Sequence, residues 1–125
     1  MNQFSLAIFH NKDQQTPTHC RIETPKHIYT LALDDILFIE SNQKKCTIHL
    51  ADCAICVSEP LYLLCQKLPA ATFLQTHRSF IVNLKQVSAI HKNGDTWAIT
   101  FPATEKQAYI SRSFRHQVLQ ALHHL

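Results

Sequence analysis

The sequence has a single glycine, Gly94, in 125 residues. A Gly-rich phosphate loop, a dinucleotide-binding fingerprint and a collagen-like repeat each need several glycines, so all three are excluded. A doubly wound nucleotide-binding fold is excluded with them. Charge is also sparse. Asp, Glu, Lys and Arg make up 17% of the chain against 46% hydrophobic residues, the balance of a globular domain rather than a disordered one. No stretch approaches the ~18 apolar residues of a membrane span. Met1 to His10 lack the basic start and long apolar run of a cleavable signal. The five cysteines, Cys20, Cys46, Cys53, Cys56 and Cys65, are an odd number. That argues against a closed disulfide framework and for a reducing, cytoplasmic setting. The length fits one domain, which usually runs to about 100–200 residues.

What charge there is lies unevenly. Residues 1–43 carry three Lys/Arg against five Asp/Glu, whereas residues 44–125 carry nine against four. A positive field over the later two-thirds attracts a polyanion, although an ordinary solvated surface gives the same count.

The pattern of apolar residues is mostly that of short strands. Phe4 to Phe9 form an apolar cluster followed by the polar run His10 to Thr18, read as a short strand or arm and a loop over residues 1–20. The main domain is expected over 21–125. Ile28 to Leu33 and Ile36 to Glu40 are β-rich and join at Asp34-Asp35, and Cys46 to Leu50 and Cys53 to Val57 read as hairpin arms turning near Ala51-Asp52. Ser58 is expected to cap a helix, with Glu59 and Pro60 in its first turn and Leu61, Leu64, Cys65 and Leu68 on its apolar face. Pro69 stops it. Phe73 to Thr76 and Phe80 to Val82 flank His77-Arg78-Ser79, and Val87 to His91 and Thr96 to Phe101 flank Lys92 to Asp95. Asn93-Gly94 there suits a type I′ hairpin turn with positive φ at both residues. A strand at Lys106 to Ile110 precedes a last helix, expected to be capped by Ser111 and striped by Phe114, Val118, Leu122 and Leu125.

Few groupings carry catalytic chemistry. Cys53-Ala-Ile-Cys56 has CxxC spacing but falls in an expected strand, where residues three apart face opposite sides. No second pair completes a zinc set, so the two read as small buried apolar residues. The nine histidines show no metal-ligand spacing, and a Cys65–His77 nucleophile pair has no supporting motif. Asp34-Asp35 reads as a turn rather than an acid–base pair. The chain is therefore not expected to be an enzyme, and nothing calls for a metal or cofactor.

The polar interruption His77-Arg78-Ser79 sits between two apolar strands and would present an imidazole, a guanidinium and a hydroxyl to solvent. Arginine is the side chain best shaped for bidentate contact with guanine edges or phosphates. Asn83 is read as a local bond that holds the turn. Two more basic clusters lie on other connections: Gln43-Lys44-Lys45, and Arg112, Ser113, Arg115 and His116 at the start of the last helix. Basic residues at a helix N-terminus oppose its dipole, and an anionic partner would offset that cost.

Phe73-Leu-Gln-Thr-His-Arg-Ser-Phe-Ile-Val-Asn83 resembles the signature of the LytTR DNA-binding domain of bacterial transcriptional regulators. Asp35 to Ser41 upstream, and Val87 to Ile90 and Tyr109 to Phe114 downstream, fall in the order of that family, so the resemblance covers roughly Arg21 to Leu122. It implies a mainly β fold, an elongated antiparallel β-β-β architecture of three small sheets with one internal and one C-terminal helix. It implies double-stranded DNA as the partner, read by loops inserted into successive major grooves. Carried over by position, the contacts come from Asn42, Gln43, Lys44 and Lys45, from His77, Arg78 and Ser79, and from the segment with Arg112 and Ser113; Arg115 joins them through its basic cluster. Asn83 carries over as a structural residue. Family members occupy direct-repeat half-sites, which suggests dimers on DNA. Most follow a receiver domain, for which this sequence has no room, so it is expected to be a fragment of a response regulator or a stand-alone regulator, some of which pair with a membrane-protein inhibitor.

Two other readings make different demands. An RNA- or single-strand-binding β module needs exposed aromatics on a sheet face, and Phe80 and Trp97 look buried. A thiol-based sensor or protein-interaction module needs an accessible, partly ionised cysteine.

Overall fold

The computed structural model describes residues 5–9, 17–23 and 25–124. Three antiparallel sheets follow one another along the chain. The first is a meander of β1 (Ser5–Phe9), β2 (His19–Glu23) and β3 (Ile28–Ala32). The expected strand near the start is thus β1, paired along its length with β2, while of the expected loop from His10 to Thr18 residues 10–16 lie outside the described residues.

The second sheet has five strands. It is built from β4 (Phe38–Asn42), β5 (Lys45–His49), β6 (Ala54–Val57), β7 (Phe73–His77) and β8 (Phe80–Asn83), in the order β6-β5-β4-β8-β7. Helix α1 (Leu61–Lys67) connects β6 to β7. The third sheet is formed by β9 (Ala89–Asn93), β10 (Thr96–Thr100) and β11 (Gln107–Ile110), and α2 (Arg115–His123) ends the described chain.

The middle sheet has a core on each face. On one side, Ile39 of β4 and Ile81 of β8 pack with Cys20 and Ile22 of β2 and with Leu61 and Leu64 of α1. On the other, Phe38, Phe80 and Val82 pack with Ile99, Ala108 and Ile110 of the third sheet and Val118 of α2. Strand residues alternate between faces, so a strand covered on both faces must be apolar throughout. That is why Ile36 to Ile39 and Phe80 to Val82 are unbroken apolar runs, all buried.

Asn83 is fully buried at the end of β8 and more than a local brace. Its side chain accepts from the Lys85 N–H at 3.0 Å and donates to the Ile36 carbonyl at 2.9 Å. It therefore fixes the short 3-10 turn at Leu84–Gln86 and ties it to the approach to β4.

Several local expectations are corrected. Ser58 does not cap α1. Pro60, at ψ 157°, is the N-cap, and the helix starts at Leu61 without a side-chain cap. Proline disfavours the helical region for the residue before it, which keeps Glu59 out of the helix. Glu59 pairs instead with Lys67 at the other end of α1. Ser111 does not cap the last helix either. Its carbonyl accepts from the Phe114 N–H at 3.0 Å in a 3-10 turn over Arg112–Phe114, and α2 begins only at Arg115. In the β9–β10 hairpin Asn93 pairs with Thr96, so the two loop residues are Gly94 and Asp95. Gly94 has φ +59° and Asp95 is not in the positive region, the sign pattern of a type II′ turn rather than I′. Cys53 and Cys56 are both exposed rather than buried. Cys53 lies in the turn before β6, outside the strand periodicity, and Cys56 is on the uncovered side of an edge strand.

Candidate nucleic-acid interface

The β4–β5 hairpin ends in Gln43 and Lys44, between the paired Asn42 and Lys45. All four side chains are exposed and line one concave surface. Gln43 takes φ +62°, a left-handed conformation that an L side chain adopts at some cost in energy.

The β7–β8 hairpin turns at Arg78 and Ser79, between His77 and Phe80. Arg78 is exposed. The Ser79 N–H donates to His77 Nδ1 at 3.0 Å, which leaves the neutral ring its proton on Nε2. The ring stands edge-on to Phe80 at 5.4 Å. Partial burial lowers the His77 pKa below 6.5, and the neighbouring Arg78 charge lowers it further. Near neutral pH His77 is therefore an uncharged donor through Nε2.

Two backbone bonds join the basic connections. The Ser41 N–H donates to the Ser79 carbonyl at 2.8 Å, which places the β4–β5 and β7–β8 tips at the same end of the middle sheet. The pairing of β7 with β8 slips between Gln75 and His77, a bulge that leaves Thr76 out of the ladder. Thr76 is fully buried, and its Oγ1 donates to the Tyr109 carbonyl at 2.9 Å. Its own carbonyl accepts from the Ser111 N–H at 3.0 Å. The third basic segment is thereby joined to the strand that carries His77 and Arg78.

Arg112 and Ser113 are exposed there, and Arg112 makes an ion pair with Asp95 of the β9–β10 turn. Arg115 is half-buried and otherwise engaged. Its guanidinium lies 4.4 Å from the Trp97 ring centre and donates to the Gly94 and Asp95 carbonyls at 3.2 and 2.8 Å. Lys92 also lies over Trp97, at 5.0 Å. Trp97 is thus half-exposed under two cations rather than buried as expected. A shallow cleft runs between these parts, lined by His77, Asp95, Thr96, Tyr109, Ser111 and Arg112.

Every loop singled out from the sequence is present, and adjoining bonds bring them to one edge. Thr76, Asp95, Trp97 and Tyr109 were missed as parts of that edge. The Asn-Gly pair marked the Asp95 turn, but nothing in the sequence signals the bulge at Thr76 or its partner 33 residues away.

Three of the cysteines, Cys20, Cys46 and Cys53, have electrostatics that differ from those of a reactive thiol. Burial pushes Cys20 and Cys46 up to about 11, with Glu59 adding to the rise at Cys46. Exposed Cys53 is also raised, by desolvation and then by Asp52. Cys65 packs against the core that includes α1 and β2, whereas His77 meets Phe80 on the other face of the middle sheet. No group of three or more His, Cys, Asp or Glu side chains among the described residues is placed to hold a metal ion. The exposed aromatics Tyr29, Tyr62 and Tyr109 are divided among β3, α1 and β11, so they form no stacking row on one sheet face.

The model of the LytTr DNA-binding domain family matches residues 26–123, which contain all three basic connections. The chain belongs to the LytTr DNA-binding domain family. A curated relative, the sensory transduction protein LytR of Staphylococcus haemolyticus (strain JCSC1435), is 31% identical over 105 residues, which are 83% of this chain and 40% of that protein. The chain thus spans less than half the length of that relative. A solved LytTr DNA-binding domain from Bacillus cereus superposes with a TM-score of 0.73 at 20% identity, covering 84% of this chain and 96% of that one. The LytTr fold accounts for the mostly β architecture in three antiparallel sheets. No helix among the described residues is long and apolar enough to cross a membrane.

Proposed function

We propose that this LytTr domain binds double-stranded DNA in a sequence-specific way through three loops at one edge and so regulates transcription. What carries the reading is the pair of backbone bonds, Ser41 to Ser79 and Ser111 to Thr76, which keeps the three basic connections adjacent. Asn42 to Lys45, His77 to Ser79 and Arg112 to Ser113 enter major grooves on one face of the duplex. Arg78 reads a base edge, with His77 Nε2 as a second donor for an acceptor on a base or phosphate. Lys44 and Lys45 hold the backbone and set the register. Arg115 supports the edge from behind, through Trp97 and the Gly94–Asp95 turn. Two copies occupy direct-repeat half-sites and meet on the DNA. The regulating input lies outside these residues, in a receiver or a membrane-protein inhibitor.

The test begins with selection of binding sites from a random duplex pool by the purified chain. Fluorescence anisotropy then compares variants on the selected site. Arg78→Ala is expected to cost about 1–3 kcal/mol on that site and little on unrelated duplexes. Lys44→Ala and Lys45→Ala are expected to weaken all duplexes alike and to reduce the salt slope by about one unit per lost phosphate contact. Equal or tighter binding of single-stranded DNA or RNA of the same sequence contradicts the proposal.

A further inference from the structure

Thr76 does more than fill the core between two sheets. It is the bulged residue immediately before the β7–β8 tip, and both its side chain and its backbone bond to the segment that leads to Arg112. Bulges re-aim neighbouring side chains, and a bulge held from both sides re-aims them in one fixed direction. We infer that Thr76 is a positioning residue for DNA recognition, a clasp that sets the placement of the Arg78 loop relative to the Arg112 segment and so decides which base spacing the domain accepts. This inference rests on the DNA-binding reading above. Thr76 itself touches no DNA, because it is fully buried.

The clasp has two independent bonds. The first runs from Thr76 Oγ1 to the Tyr109 carbonyl at 2.9 Å, and a valine in its place would keep the shape while losing the donor. The second runs from the Ser111 N–H to the Thr76 carbonyl at 3.0 Å. Ser111 has φ −80° and ψ 158°, and it follows a strand residue, so proline fits there with the N–H removed. Loss of either bond leaves two adjacent contact loops held by the other alone and loosens their relative placement. A recognition geometry that loosens by a fraction of an ångström loses discrimination before it loses charge attraction. The phosphate-driven part of binding depends on the number of cations present, which neither change alters.

The experiment measures affinity for the selected duplex and for an unrelated duplex, each over a salt series, together with the melting temperature. Thr76→Val is expected to weaken selected-site binding about tenfold or more, the scale of one buried bond left unmade, with unrelated-duplex affinity and salt slope unchanged. Thr76→Ser, which restores the donor, is expected to recover most of the loss. Ser111→Pro, read against Ser111→Ala as its baseline, is expected to repeat the Thr76→Val pattern and gives a second route should the valine variant fold poorly. The inference is overturned if Ser111→Pro and any folded Thr76→Val keep the wild-type ratio of selected to unrelated binding. It is also overturned if the two affinities fall together. Failure of the wild-type chain to select any duplex would instead remove the DNA-binding reading itself.

Discussion

His49 shows how far one side chain depends on distant partners. It is 4% exposed, stacked on Phe38 at 4.4 Å, with Nε2 2.6 Å from Glu40 and Nδ1 3.3 Å from Lys106. A lysine donates to Nδ1, so the neutral ring keeps its proton on Nε2 and donates it to the carboxylate. Burial lowers the pKa from 6.5, Glu40 pulls it up, and Lys106 lowers it again. The unfolded chain therefore binds a proton that folded His49 resists. The stability this contributes is complete above about pH 6.5 and is lost as the pH falls through the lowered folded value. Partly buried His77, also lowered, acts in the same direction. Urea titrations at a series of pH values are expected to show stability falling below pH 6.5, with a shallower fall in His49→Gln. Asn83 makes a second residue-scale case. Asn83→Ala leaves the buried Ile36 carbonyl without its donor, and a loss of about 1–3 kcal/mol is expected by urea denaturation. The sequence marked both positions. His49 was visible between apolar neighbours and Asn83 after an apolar strand, but the Lys106 amine and the Ile36 carbonyl that they also engage lie 57 and 47 residues away and leave no local trace.

At the scale of elements, alternation and turn chemistry were the readable signals. Ile36 to Glu40 and Phe80 to Val82 were readable as strands, although their cover on both faces emerges only from the structure, and Asn93-Gly94 marked a hairpin. The hairpin residues then settled one position later than the dipeptide suggested, because Asn93 pairs with Thr96. Strand β2 escaped the pattern because its mix of His19, Arg21 and Glu23 with Cys20 and Ile22 reads as polar until its buried face is known. The start of α1 was misplaced because a good capping residue, Ser58, stood ahead of a proline that prevents its use. Gly94 gives a direct check on the turn. A Cβ there meets nothing within 4 Å, so only the positive φ opposes it. Gly94→Ala is expected to cost about 1–2 kcal/mol in thermal or urea unfolding, the usual cost of a left-handed L residue.

At the scale of the molecule, the middle sheet makes two cores interdependent, since neighbouring residues of β4 and β8 enter opposite ones. Phe38 stacks on both His49 and Phe101, so Phe38→Ala is expected to cost about 3–5 kcal/mol. Trp97 fluorescence, which reports on the third sheet, is expected to lose its signal together with far-UV circular dichroism in one transition. The basic loops were legible because charge interrupts apolar strands there. Their meeting at one edge was not, since it depends on Ser41, Thr76 and Ser111 backbone groups that no side-chain pattern announces. That meeting is the central claim, and amide chemical-shift mapping on a selected duplex tests it most directly. The largest shifts are predicted at residues 42–45, 77–79 and 111–113 together, saturating at one stoichiometry. Shifts confined to one of these loops, or centred on the exposed β3 edge at Ile28 and Tyr29, would contradict it.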